Sequence, residues 1–115
     1  MGGKPSVSAV IIFFDAERFI NEVIASVFAQ TYADWELLLV DDGSTDGGRS
    51  IALSYAQQCP RRVRYLEHEG HRNRGMSASR NPGIRNAKGQ YVALLDAGLG
   101  CRRPRSTATR RFPRP

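Results

Sequence analysis

Apolar residues in this chain come as short continuous runs, alternating with longer stretches in which they recur at helical spacing. Val7 to Phe14 (Val-Ser-Ala-Val-Ile-Ile-Phe-Phe) is rich in β-branched and aromatic residues and bounded by Pro5 and Asp15, which predicts a buried strand. Asp15 is then an N-cap candidate, with Glu17 near the positive end of the following helix dipole. Phe19, Ile20, Val23, Ile24, Val27 and Phe28 form one apolar stripe on a helix reaching about Gln30. After the loop 31–34, Trp35 to Val40 predicts a second strand, which stops at two adjacent carboxylates, Asp41 and Asp42, followed by the turn-forming Gly43-Ser44-Thr45-Asp46.

The pattern continues in the same alternation. A shorter helix is predicted over Asp46 to Gln58, with Ile51, Ala52, Tyr55 and Ala56 inward, Gly47 and Gly48 weakening its first turn, and Pro60 beyond its end. Val63 to Glu67 predicts a short strand, and a polar stretch over 67–75 leads into a helix from about Met76 to Ala87. Pro82 falls inside that helix, where it deletes a backbone bond at a cost of about 3 kcal/mol unless the helix starts late or kinks. Tyr91 to Asp96 predicts a fourth strand, again apolar until it reaches a carboxylate.

Strands alternating with helices, joined by long connections, predict right-handed parallel crossovers and a three-layer α/β fold. The simplest arrangement is a nucleotide-binding half with strand order 3-2-1-4, whose order reverses between the first and fourth strands. Ligands of such sheets sit beyond the carboxyl ends of the strands, at the reversal. That brings Asp15, Asp41, Asp42 and Asp96 around one crevice. The local alternative for Asp42 to Asp46 is a turn and helix cap with no ligand. Carboxylates gathered at close range repel one another, which favours a cation or ligand donors among them.

Composition adds little until charge is mapped along the chain. The 115 residues are 41% hydrophobic and 24% charged, within the range of a single globular domain. No run approaches the roughly 18 apolar residues of a membrane span, and Met-Gly-Gly-Lys-Pro lacks a signal-peptide core, so a cytoplasmic setting is expected. The formal charge of +6 suggests nucleic acid at first sight. However, residues 1–100 hold eleven basic and eleven acidic side chains, while 101–115 carry six arginines and no acid. The excess lies in a stretch with no period and few apolar groups, so 98–115 is expected to be a disordered Arg/Pro-rich tail, without specific nucleic-acid recognition. Cys59 and Cys101 have no metal-ligand spacing and are expected to be free thiols. His68 and His71 are either loop metal ligands or surface histidines.

Taken together, five segments resemble the family 2 glycosyltransferases: 7–12, 26–37, Val40-Asp41-Asp42-Gly43-Ser44-Thr45-Asp46, Asn73-Arg74-Gly75 with Ser79-Arg80-Asn81, and Gly89-Gln90-Tyr91-Val92-Ala93-Leu94-Leu95-Asp96. They run in order over residues 6–97. The resemblance implies the GT-A fold and transfer of a sugar from a nucleotide-diphospho-sugar, most simply a UDP-sugar, to an acceptor hydroxyl. It places Phe14, Asp15 and Glu17 beside the nucleoside, Asp42 on the base and Asp41 supporting the turn or the ribose. Arg80, with Arg74, would approach the diphosphate, where a guanidinium matches the oxygens; the alternative is a solvated helix face.

Asp96 would open the family's Asp-x-Asp motif for Mg²⁺ or Mn²⁺, but the chain continues Ala97-Gly98-Leu99. The second carboxylate is missing, so the metal site is expected to be incomplete. Because the change in composition starts at the same place, residues 98–115 read as an out-of-frame end. The 97 residues before them read as the nucleotide-sugar-binding part of a longer transferase, expected to be inactive alone. Two alternatives from other classes are a phosphoacceptor receiver module, which lacks a strand-end Lys here, and polyanion binding through the arginine tail.

Overall fold

The computed structural model describes residues 7–29, 35–89, 91–98 and 105–111, and for 76–77, 96–98 and 105–111 the backbone alone. The elements follow the order β1 (Val7–Phe14), α1 (Ile20–Phe28), β2 (Trp35–Asp41), α2 (Gly48–Gln58), β3 (Val63–Glu67), α3 (Met76–Asn86), β4 (Tyr91–Gly98) and β5 (Arg105–Arg111), with a short 3₁₀ turn at Glu69–His71. The sheet order is β3-β2-β1-β4-β5. The first four strands are parallel, in the expected 3-2-1-4 arrangement. A receiver module would order its strands 2-1-3-4-5.

Period two along β1 explains the three layers. Ala9, Ile11 and Phe13 pack with Ile20, Val23, Ile24 and Val27 of α1 and Ala52 of α2, while Val10 and Ile12 pack with Leu38, Val40, Val92 and Ala87 on the α3 side. At Gly83 α3 lies so close to the sheet that a Cβ there would stand 2.5 Å from Val10 Cγ1. The helix runs unbroken through Pro82, whose carbonyl accepts a bond from Asn86 Nδ2 at 2.7 Å. Tertiary contact along its inner face thus overrides the expected break.

Three expectations are corrected. Asp15 does not cap α1: its φ is 49°, a turn starting at Ala16 follows, and Phe19 and Ile20 donate to Ala16 O at 2.8 and 2.7 Å. Phe28, at the end of the apolar stripe, is 40% exposed and meets Trp35 edge to face at 5.1 Å. In the stretch read as a disordered tail, 105–111 pairs antiparallel with β4 as β5. That pairing satisfies backbone groups that β4 would otherwise leave open at a sheet edge. The rest of that stretch beyond Gly98, with Cys101, lies outside the described residues, as do Gln30 and the loop 31–34.

The amino-terminal edge of the sheet is closed by a buried polar knot. Glu36, 6% exposed, accepts from Ser8 Oγ at 2.5 Å, the backbone N–H of Lys88 at 2.6 Å and Arg64 Nη2 at 2.9 Å. Ser8 Oγ in turn accepts from Gly89 N at 2.8 Å. The knot ties the end of α3 to β1, β2 and β3. Removing the carboxylate leaves several buried donors unmatched, so Glu36→Ala is expected to lower unfolding free energy by about 3 kcal/mol, read from urea denaturation.

Candidate functional site

At the opposite, carboxyl-terminal edge the same alternation separates the acidic pair. Asp41 continues the parity of Leu37 and Leu39 toward the α1–α2 layer, and Asp42 that of Leu38 and Val40 toward α3. Neighbours in sequence therefore act on different layers. Asp41, fully buried, accepts from Ser44 N at 2.8 Å and from the Tyr65 hydroxyl at 2.7 Å. Asp42, 2% exposed, receives Arg74 N at 2.7 Å and Gly75 N at 3.1 Å on one oxygen, and Gly75 N at 3.0 Å on the other. Asn73 Nδ2 donates to its carbonyl at 2.8 Å. Asp42 thus gathers the backbone donors that precede α3, where the helix dipole favours a negative charge.

The loop after β1 is bound to the loop after β2 in the same way. Asp15 Oδ1 accepts from Thr45 N at 2.7 Å, and Asp15 N donates to Ser44 Oγ at 3.1 Å. Glu17 Oε1 accepts from Gly47 N at 2.7 Å, while Glu17 N donates to Asp46 Oδ2 at 3.1 Å. Asp46 Oδ1 accepts from Gly48 N at 2.9 Å, so α2 begins on two carboxylates. The negative charge at this rim is thus balanced largely by peptide N–H groups, which lets several acids share a small space.

Sequence reasoning did not find the β3 side of the rim. Tyr65 OH also lies 2.7 Å from Glu67 Oε1, so one phenolic proton serves two carboxylates. Burial, then these two hydrogen bonds, pushes the Tyr65 phenol far above its usual range. Burial would raise the Glu67 carboxyl, but the bond from Tyr65 and the charges of Arg49 and His71 outweigh it and hold it below its ordinary value. Arg49 Nη2 stands 3.2 Å from Glu67 Oε1. The signal for Tyr65 was its parity with Val63 on a strand beside β2.

The other proposed contacts are placed less tightly. Phe14 is half-buried at the end of β1, and Arg80 is half-buried on α3. Asp96 pairs with Ile12 in the register of β4 against β1, one residue short of the level at which Asp41 pairs with Phe13. Backbone position therefore brings Asp96 to the same edge. His68 Nε2 meets Ser79 Oγ at 2.9 Å and lies 3.5 Å from Asp42 Oδ1. Beside it opens a groove of about 410 Å³ lined by Glu67, His68, Arg74, Asn81 and Arg85, among others. Among the described residues no three His, Cys, Asp or Glu side chains stand together as a metal site. Nor is any helix there long and apolar enough to cross a membrane.

A family model described as Glycosyl transferase family 2 matches residues 8–99. The Bacillus subtilis protein EpsE, which carries a glycosyltransferase name, is 36% identical over 96 residues, 84% of this chain and 34% of that protein. Among solved structures, the mannosyltransferase PcManGT from Pyrobaculum calidifontis, in complex with GDP-Man and Mn²⁺, superposes with TM-score 0.72 and 26% identity, over 83% of this chain and 28% of that one. S. aureus TarS 1-349 in complex with UDP gives TM-score 0.70 and 25% identity, over 80% and 27%. The chain thus spans about a third of the length of the relatives it matches.

Two outcomes follow for the rim. Gly43 has φ 79°, and a Cβ there would lie 2.5 Å from Asn73 N. Gly43→Ala is expected to cost about 3 kcal/mol in chemical denaturation, from left-handed strain and a clash with backbone. Because the Glu67 carboxyl is lowered in the folded state, its contribution to stability is complete above the ordinary carboxylate range, about pH 5, and is lost as pH falls through its folded value. Thermal melts of Glu67→Gln are therefore expected to show a flatter acid limb than the unmodified chain.

Proposed function

Since the chain belongs to glycosyl transferase family 2, and is a glycosyltransferase by family, we propose that its carboxyl-terminal rim is the donor side of the reaction centre. The reading rests on one observation: carboxylates far apart in sequence lie together beyond the carboxyl ends of the parallel strands β1, β2 and β3, the edge at which ligands of such sheets sit. The ligand is a nucleotide-diphospho-sugar, most simply a UDP-sugar. Phe14, Asp15 and Glu17 border the nucleoside, Asp42 accepts from the base N–H, and Asp41 holds the turn that carries it. Arg80 and Arg74 take the diphosphate, supported by the place of Arg74 in the groove beside His68. Base recognition by Asp42 requires it to share an oxygen now engaged by the 73–75 backbone.

In the whole transferase, an acceptor hydroxyl displaces the nucleoside diphosphate from the anomeric carbon with inversion, its proton passing to a carboxylate base. We assign that base to none of these 115 residues. The Mn²⁺ of the PcManGT complex belongs to that protein. For this chain, Asp96 offers such an ion one carboxylate, followed by Ala97 and Gly98, and the Asp15, Asp41 and Asp42 oxygens are taken by N–H and O–H donors. That donor set does not fit a cation bridging a diphosphate, which takes several hard oxygens, and no step is derived through one.

The expected result in isothermal titration is weak UDP binding, with Kd no tighter than about 1 mM, changed little by Mn²⁺. Asp42→Asn should weaken it further. Tight, Mn²⁺-dependent binding would overturn this account of the site.

A further inference from the structure

His71 is held in a way the donor reading does not use. Its φ is 56° and that of Gly70 is 71°, so two successive left-handed residues fold the chain back toward the sheet. The ring stands between two layers of the rim, with Nε2 2.8 Å from Ser44 O and Nδ1 3.1 Å from Glu67 Oε1. A carbonyl and an ionised carboxylate are acceptors with no hydrogen to give. A neutral imidazole carries one N–H and would set a lone pair against a lone pair at one of these contacts. The doubly protonated ring satisfies both.

The charged groups around the ring agree with that state. Asp41 Oδ2 lies 4.0 Å from Nε2, on the β2 side. Glu67 faces Nδ1 from β3, and Tyr65 OH bridges the two carboxylates. From α2, Arg49 reaches the same Glu67 oxygen at 3.2 Å. Two acids therefore face the ring directly, and the nearby guanidinium is engaged with one of them.

The clasp has a mechanical consequence. Ser44 follows Gly43, against which the backbone of Arg72 and Asn73 is packed. Holding His71 to Ser44 keeps that packing, and the same segment then delivers Arg74 N and Gly75 N to Asp42. We propose that His71 is a positioning residue of the donor rim: its doubly protonated ring clasps Ser44 to Glu67, seats residues 72–75 against Gly43 and Asp42, and on losing a proton releases them, weakening nucleotide binding. The binding consequence rests on the donor-site reading; the positioning role does not.

The test is an NMR titration of the isotope-labelled 115-residue chain, with UDP affinity measured at each pH. The ring nitrogens of His71 are expected to show two N–H groups at the acidic end. The Arg74 and Gly75 amide resonances should move with the same midpoint as the ring, and UDP affinity should fall about tenfold across it. His71→Gln retains one donor and no titration, so in that variant both amides should be flat with pH and affinity should stay about tenfold below the acidic value of the unmodified chain. A singly protonated ring at the acidic end of the folded range overturns the proposal. So do Arg74 and Gly75 amides that ignore the titration of the ring. If they follow it while UDP binds at no pH, the positioning role stands and the donor reading fails. Should His71→Gln not fold, the titration of the unmodified chain decides alone.

Discussion

The constraint on which the rest depends is the two-residue period of β2 at its carboxyl end. Two adjacent carboxylates cannot both face one layer of a sheet, so Asp41 turns to Tyr65 and Ser44 while Asp42 turns to the segment before α3. Each acid then orders a different loop. Because both are buried, each must be matched by donors, and the structure supplies them from backbone N–H groups, the Tyr65 phenol and the Asn73 amide. The loops that surround the rim are shaped by that demand.

The rim and the amino-terminal edge solve the same problem in different ways. Glu36 is buried among an arginine, a serine and the backbone N–H of Lys88, and it serves to lock the end of α3 onto the sheet. At the rim, acids are balanced mostly by peptide dipoles, which can be regrouped when a ligand brings its own donors. A network built on side-chain ion pairs resists such exchange, since separating the partners exposes an uncompensated charge. The edge where carboxylates hold loops is thus suited to the proposed donor site, and the edge where one holds a helix to rigidity.

Much of this was legible in the sequence, and the gaps have physical causes. The runs 7–14 and 63–67 matched β1 and β3 in extent, and β2 and β4 were found with ends short by one and two residues, because continuous apolar runs have few alternative uses. Strand order followed from the nucleotide-binding half that alternating strands and helices with long crossovers most simply form. Asp15 was misread as a cap because its partner, Thr45, is thirty residues away, and capping rules see only local neighbours. The strand at 105–111 was missed because its partner is a backbone edge rather than an apolar face, and composition carries no mark of that. His71 and Tyr65 were invisible as members of the rim, since their roles depend on which strand lies beside β2.

The acidic rim also bears on how the diphosphate of the proposed donor would be accommodated. Asp15, Glu17, Asp41, Asp42, Asp46 and Glu67 lie along it, and a ligand carrying further negative charge must be held against them. The donors on each carboxylate, backbone N–H groups at Asp15, Glu17, Asp41 and Asp42 and the Tyr65 hydroxyl and Arg49 at Glu67, lower the potential presented to an incoming anion. A second acid after Asp96 would add a cation ligand and, without the cation, add repulsion. With Ala97 and Gly98 there instead, neither that ligand nor that repulsion is added, and in the proposed donor site the diphosphate would be met by Arg74, which lines the groove beside His68, and by Arg80.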